Sequence, residues 1–445
     1  MQLTGANTNS GHTSADSPTV TTTNGDWGNA AANRFTAASG TPFSALTTND
    51  YVAVMLDGAS VAALIARVTA VNAGGASVDL STTDRIGTAP ATGATGRTAV
   101  SGGAWANLGV ATSGPLSAGA AGVPLRINVK AGTYANTTTS RTIGTAGSTT
   151  NPIWFRGYNA APGDLDDDFV TAKPLWSWTT GNLALNGTHT IATNISFFAT
   201  GTAGSPTVNW AATNGRADRC RFENQTSGGS CSALITGNNG ASFAATSCHF
   251  KSTTGATNCV SSASGGQYHG CVFEGGVNGY NAPSASYLSG CVFVGNLTRG
   301  ITAASTLSAY NCSFQSPGGD AIRFTAAPGM SVIHSCAFEG SGGYDINNTS
   351  GTSTNLVQRS NNVSYNAVSG HEAPGSFETP SFHFTQATSA LFAAAGDFTP
   401  TAELKALALP KLFENEAYTS YRDAGAVQHQ DSGGGTAAPG GGDLG

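Results

Sequence analysis

Few residues of this 445-residue chain have the type and spacing to do chemistry. Between positions 200 and 365 the carboxylates are Asp218, Glu223, Glu274, Asp320, Glu339 and Asp345. Hydrolysis of a glycosidic bond takes two such groups, one as acid and one as base or nucleophile, about 5–9.5 Å apart. Eliminative cleavage takes a base, commonly with carboxylates that hold Ca²⁺ against an acidic sugar. Glu223 and Glu274 fall in one column of the repeat described below, two repeats apart, with Lys251 between them. That is about 10 Å at the spacing of neighbouring strands, and it reads as a Glu–Lys–Glu surface ladder with mild charge pairing. The run Asp164-Leu165-Asp166-Asp167-Asp168 has the oxygen ligands that Ca²⁺ takes. It lacks the Gly and distal Glu of a Ca²⁺ loop and reads as a solvated loop.

Other candidates are weaker. His269 and His334 each stand two residues before a repeated Cys, but three repeats apart, about 14 Å, so they cannot share one ion. His249 faces outward beside an inward Cys248. The eight cysteines could form a disulfide framework, yet six share one inward column, where parallel Cα–Cβ vectors suit stacking better than bridging. Reduced thiols, assembled in a reducing compartment, are expected. Trp176 and Trp178 alternate onto one strand face and could form a sugar platform, with core packing preferred. The sequons at Asn136, Asn186, Asn224 and Asn296 match what chance gives in a chain rich in Asn, Ser and Thr. No Ser/His/Asp triad or activated Cys can be picked out. No catalytic residue, cofactor or metal ligand is therefore assigned.

Composition narrows the classes. Charged residues make up 10% of the chain against about 25% in typical domains, and the net charge is −6. Without a basic cluster, a nucleic-acid binder is not expected. No apolar run approaches a membrane helix, and Met1-Gln2-Leu3-Thr4-Gly5 does not open a secretory signal peptide. Small β-formers and the 59 glycines point to an all-β chain of many short strands.

The elements that would position these residues follow from a repeat. Cys-x-Phe occurs at Cys220, Cys248, Cys271, Cys291, Cys312 and Cys336, with spacings of 28, 23, 20, 21 and 24 residues. A period in the low twenties with irregular turns marks a solenoid, here the coils of a parallel β-helix. Strand alternation sends Cys and Phe inward and the residues between and after them outward. Cys231 and Cys259, each 11 residues after a ladder Cys, are expected to stack on another wall. Ile195 takes the Cys position upstream. Ser360 takes it downstream, followed by a last rung at Asn361–Tyr365. Ile127–Lys130 and Ile153–Phe155 read as the first strands.

About ten coils over 125–370, roughly 48 Å long, follow from this pattern. Ahead of them, residues 1–40 look structureless. Tyr51–Leu56, Val61–Val71 and Ser77–Leu80 read as strands of a small β domain, with turns at Asp57-Gly58 and Asn72–Gly75. Ala62–Ala66 alone could instead be helical. The Gly-, Ala- and Thr-rich stretch 87–122 reads as a linker. Overall, 1–105 forms an N-terminal arm and anchor domain, 106–124 a linker, 371–430 a C-terminal cap with a short helix at Glu403–Leu409, and 431–445 a Gly-rich tail.

Three segments carry a resemblance. Val129-Lys130-Ala131-Gly132-Thr133-Tyr134 resembles the opening coil of pectate-lyase-like right-handed β-helix proteins. The segment Ile153–Asp164 is similar to a second-coil segment of such proteins in bacteriophage and environmental bacterial sequences, and Tyr421–Gln428 resembles their usual ending. The likeness covers roughly residues 99–430 and is specific for fold rather than function, since the fold hosts lyases, hydrolases, adhesins and inert virion parts. The small β domain ahead of Gly102-Gly103-Ala104-Trp105 looks like phage virion proteins. Tyr268-His269-Gly270 only faintly resembles the His-containing motif of pectin-cleaving hydrolases, and their close Asp sets are not seen. The resemblance implies a non-enzymatic structural protein of a bacteriophage virion, on the capsid surface or the tail, assembled in the host cytoplasm. Its partners would be itself, as a homo-oligomer such as a trimer, other virion proteins and a host-surface glycan. The alternative is a tailspike-type depolymerase, a polysaccharide lyase or glycoside hydrolase, or a glycan-binding adhesin.

Overall fold

The computed structural model describes residues 18–401 apart from 29–30, 49, 56–61, 103–123, 137–140, 161–163, 165–172, 180, 201–205, 212, 226–231, 237–242, 253–257, 263, 316, 351–356, 367, 375–383 and 395–396. The chain divides into two units, Met1–Gly201 with Val208–Cys220, and Thr202–Thr207 with Arg221–Gly445.

The first unit opens with six antiparallel strands, β1 (Pro18–Trp27), β2 (Arg34–Thr36), β3 (Tyr51–Met55), β4 (Ala62–Asn72), β5 (Ser77–Gly87) and β6 (Ala94–Gly102). They close as a barrel in the order β1-β2-β5-β4-β3-β6, which leaves no open sheet edge. Its core holds Trp27, Phe35, Phe43, Val52, Val54, Leu64, Val68, Val78 and Leu80. Phe35 and Phe43 meet edge to face at 5.9 Å. Three sequence readings change here. The polar stretch before residue 40 supplies β1 and β2, because Val20, Trp27 and Phe35 suffice to anchor them in the core. The supposed linker supplies β6, which pairs with both β1 and β3. The strand begun at Ser77 runs on to Gly87. Ala62–Ala66 is strand, within β4. Between β4 and β5, Gly75 adopts φ 103°, and a Cβ there would stand 2.3 Å from the Ser44 amide nitrogen, so the turn is closed to other residues.

Beyond the barrel, within each unit, the chain winds through three walls of parallel strands, each strand pairing with the one three positions on. The first unit holds three complete coils, beginning with Leu125–Lys130, Gly132–Asn136 and Arg141–Ile143. The second holds five, from Phe243–Thr246, His249–Ser252 and Asn258–Ser262 to Ser331–His334, Ala337–Glu339 and Ile346–Asn348. The fold is thus an all-β parallel β-helix behind a small antiparallel β domain, with about eight full coils rather than ten. The count falls short because an early coil is longer than the repeat in the low twenties: 37 positions separate Ile153 from Thr190, the starts of successive first-wall strands. In addition, the coil after Ile346–Asn348 reaches its third wall only through an isolated Ile346–Glu372 bridge.

The inward ladders form as the alternation requires. Phe222, Phe250, Phe273, Phe293, Phe314 and Phe338 are all buried and stack in succession with centroids 5.1, 5.2, 4.6, 4.7 and 5.0 Å apart. The seven described cysteines are buried, and no two of them are joined by a disulfide. Thiols of the column hydrogen-bond the carbonyl two residues back, as Cys271 does to His269 at 3.4 Å. Two column assignments shift. Pairing of Ser232 with Asn258 and Leu234 with Val260 puts Ala233, not Cys231, beside Cys259, because the preceding turns differ in length; Cys231 itself lies outside the described residues. Ser360 pairs with His334 on the first wall, and Asn362 takes the Cys position instead. There its Oδ1 accepts the Cys336 amide at 2.9 Å and its Nδ2 donates to the Ile333 carbonyl at 3.2 Å. A polar residue is tolerated because both ends of its amide are bonded.

A feature not read from the sequence fixes the angle between the first two walls. From the Ile195 coil to the Asn362 coil the residue just before the Cys position is left-handed: Asn194, Arg219, Ser247, Gly270, Gly290, Asn311, Ser335 and Asn361 have φ of 50–61°. Its amide still reaches the next coil, as Gly290 N does to the Tyr310 carbonyl at 2.9 Å. In the second unit the stretch from the first residue of the first wall, through the corner, to the residue after the ladder Phe position always spans nine residues, as in 243–251, 266–274, 286–294, 307–315 and 331–339. Length varies elsewhere: 11 residues separate Glu274 from Ser286, and 17 separate Glu339 from Val357. A Cβ on Gly290 would approach nothing closer than 3.9 Å, so the constraint there is conformational. Gly290→Val is expected to cost about 1–2 kcal/mol in denaturant unfolding, and Gly290→Asn much less.

At the C-terminal end, Phe384–Gln386 extends the second wall beside Asn362–Tyr365. The chain then crosses the outer face of that wall. Ala387, Leu391 and Phe392 pack on Ala337 and Val363, and Phe392–Ala394 pairs with Asp397–Pro400. Ala337, expected on the solvent face, is buried for this reason, and Ser313, its partner on the preceding coil, is buried as well. The helix expected at Glu403–Leu409 and the turn at Asp57-Gly58 lie outside the described residues. Among the described residues no helix is long and apolar enough to cross a membrane.

Candidate functional site

The carboxylate column sits on the outer face of the second wall. Strand pairing places Glu223 beside Lys251, and Lys251 beside Glu274. The side chains do not form one continuous ladder. Lys251 Nζ donates to Glu274 Oε1 at 2.6 Å, and His249 Nε2 meets Glu274 Oε2 at 2.9 Å. Glu223 is buried and accepts instead from Arg221 Nη2 at 2.5 Å and Gln225 Nε2 at 2.6 Å.

Partial burial pushes the Glu274 carboxyl up, but the Lys251 and His249 contacts outweigh it and hold the group below its usual value. Burial lowers the His249 imidazole despite the pull of Glu274, so at neutral pH the uncharged ring donates its Nε2 hydrogen to the carboxylate. A carboxylate with a depressed pKa adds stability above its unfolded-state pKa and loses it as pH falls through the folded value. Lys251→Met should raise the Glu274 pKa, seen by NMR titration, and move that loss to higher pH. The stability change at pH 7 should stay under about 1 kcal/mol for so exposed a pair.

The remaining acids of the coils are each engaged locally. Asp218 pairs with Arg219 at 2.9 Å. Asp320 accepts the Tyr344 amide and the Asn347 side chain, both at 3.0 Å. Glu339 Oε2 accepts the amides of Leu391 and Phe392 at 2.6 and 2.9 Å, fastening the C-terminal segment to the wall. Asp345 is fully buried and accepts from Ser341, Ser364, Asn366 and His371. Glu372 pairs with the buried Arg359 at 2.7 Å. Asp164 accepts the amides of Asn159 and Ala160 at 2.8 and 2.5 Å, a turn-capping role; Asp166, Asp167 and Asp168 lie outside the described residues. Among the described residues no three His, Cys, Asp or Glu side chains converge as metal ligands.

The aromatic residues fall elsewhere than on the Trp176–Trp178 strand. Both of those are buried, and Trp176 packs edge-on between Phe155 and Phe197 at 5.8 and 5.4 Å. Tyr268 is likewise core, against Phe250, Phe273 and Tyr280. Of the sequon asparagines, Asn224 and Asn296 are buried with their amides donating to backbone carbonyls. In the first unit Trp154 stays half-buried on the outer face, with the Arg126 and Arg156 guanidinium groups 5.2 and 5.4 Å from its ring centroid.

In the second unit the outer face of the first wall carries a row of rings: His269 to Tyr287 at 5.4 Å, Tyr287 to Tyr310 at 5.6 Å and Tyr310 to His334 at 6.2 Å. The histidines' offset before Cys also places Tyr310, two residues before Cys312, so part of this row was present in the repeat arithmetic. Tyr287 stands four residues before Cys291 and belongs to the neighbouring outward column.

No protein-family model matches this sequence, and no curated protein matches it. Solved structures do. A pectate lyase, Pel9A, is similar over 68% of this chain and 88% of its own, at 11% identity and a TM-score of 0.42. A Geobacillus virus E2 protein, ORF18, is similar over 56% and 54%, at 14% identity and 0.34. The PL6 family alginate lyase AlyGC, as its R241A mutant, is similar over 60% and 51%, at 12% identity and 0.27. The chain thus spans about half the length of the latter two. The likeness concerns the β-helix fold, and no residue role is carried across it.

Proposed function

We propose that the chain is a non-enzymatic structural component of a bacteriophage particle, in which the β-helix is the rigid element and the N-terminal barrel the anchor to neighbouring subunits. The observation that supports this reading best is the engagement of the coil carboxylates. Each of the seven from Asp218 to Glu372 holds an arginine, a lysine–histidine pair, backbone amides or a buried polar network. A catalytic pair needs two acids facing one substrate; here the acids face the protein. The particle assignment comes from the sequence resemblance. Self-association as a homo-oligomer and contact with other virion proteins belong to the same proposal.

One place favours a second reading. His249, Lys251 and Glu274 meet at a partly exposed spot, where a base and a cation of a polysaccharide-cleaving site would both be present. The test is cryo-EM of purified particles together with assays of the pure protein on acidic and neutral polysaccharides. The structural reading expects residues 18–102 buried against other subunits and no chain cleavage. A free protein that shortens a polysaccharide, with activity lost in Lys251→Met and Glu274→Gln, would replace it with the depolymerase.

A further inference from the structure

The outer face of the first wall in the second unit differs from that of the second wall beside it. Its six strands, from Phe243–Thr246 to Val357–Ser360, alternate strictly between buried and solvent-facing residues. Two side chains per strand face outward, twelve in all, and none is Asp, Glu, Lys or Arg. Around the corner, the second wall carries Arg221, Lys251 and Glu274. The uncharged face instead carries the four-ring row, flanked by the exposed amides of Gln267 and Gln358. His334 belongs to the same uncharged set, since burial lowers its pKa and its Nδ1 lies 2.7 Å from Ser360 Oγ.

We propose that this row is a binding site for an uncharged, linear polysaccharide lying across the strands. Aromatic rings offer apolar faces to the C–H faces of sugars, and hydroxyl and amide groups beside them bond sugar hydroxyls. Successive coils are about 4.8 Å apart, close to the length of one pyranose unit along a chain, so each coil can meet one sugar. The rings are carried on a hydrogen-bonded sheet over a close-packed core, so little ordering is lost on binding. The absence of charge fits a neutral glycan better than a uronate, which would be expected to seek the arginines and lysines elsewhere on the surface. This inference does not depend on the particle assignment.

The test is calorimetric titration of the full chain with neutral glucan, galactan and mannan oligosaccharides, with oligogalacturonate as the charged comparison. Binding to at least one neutral series is expected, weakened about tenfold by Tyr287→Ala and by Tyr310→Ala and little changed by Tyr287→Phe. Val368→Ser, at an exposed position off this face, should bind as the parent does. NMR shifts of the labelled tyrosines should report the same site. The proposal fails if no neutral series binds, if the tyrosine variants bind as the parent does, or if oligogalacturonate is preferred. It also fails if light scattering shows that the two alanine changes dissociate an oligomer, which would make the face a contact between copies.

Discussion

Phe293→Ala is expected to remove about 3–5 kcal/mol of stability from the second unit. The ring is buried and lies nearly parallel to Phe273 and Phe314, at 4.6 and 4.7 Å with 5° between planes on both sides. Its edge fills the space where the opposite wall has only Gly279; a Cβ there would lie 2.8 Å from Phe293 Cδ1. Neighbouring backbone is held by coil-to-coil hydrogen bonds, so the cavity cannot collapse and its full cost is retained. Stability in a solenoid is set by units and their nearest-neighbour contacts. One missing ring therefore weakens two interfaces. Denaturant unfolding should show the loss, and amide exchange should speed in the coils on both sides of Phe293. Phe293→Leu, which leaves most of the volume filled, should lose markedly less. A loss below about 1 kcal/mol for the alanine variant would show that the stacked column is not what holds these coils together.

Asp345→Ala should be comparably damaging, about 3–5 kcal/mol, for the opposite physical reason. Its carboxylate is fully buried and serves four donors, with Ser341 Oγ at 2.8 Å and Asn366 Nδ2 and His371 Nδ1 each at 3.2 Å, and Ser364 Oγ in addition. Removing the acceptor strands buried donors from 341 to 371, which draws their desolvation cost without return. Asp345→Asn keeps an acceptor and should lose less. The measurement is the denaturation midpoint, with exchange of the 341–371 amides locating the damage. An unchanged midpoint for the alanine variant would show that water or other groups can satisfy those donors.

These two sites mark the limits of what the sequence discloses. The phenylalanine column was legible because an inward apolar residue recurs in register, and the Cys two positions before it recurs as well. Asp345 sits in no recurring column, and its partners come from three segments that only the winding brings together. The corner residue was hidden for another reason: Asn, Arg, Ser and Gly have no side-chain property in common, only a shared backbone conformation. Strand β1 was missed because a polar run needs very few anchoring side chains once a barrel closes around it. Tyr287 escaped because it lies one outward column away from the histidines and Tyr310. The Glu–Lys–Glu column was correct as a register and incomplete as chemistry, since strand order cannot say whether Glu223 turns to Lys251 or to Arg221.

The nine-residue block from first wall through corner to second wall also sets where the gene can change length. One codon gained or lost inside a block would turn every later side chain of that strand to the wrong face, exchanging rings of the core for groups meant for water. The same change between blocks falls where segments of 11 to 17 residues already occur, and it would be absorbed as a longer or shorter loop. Insertions and deletions among close relatives should therefore cluster in those intervals, leaving the blocks constant in length.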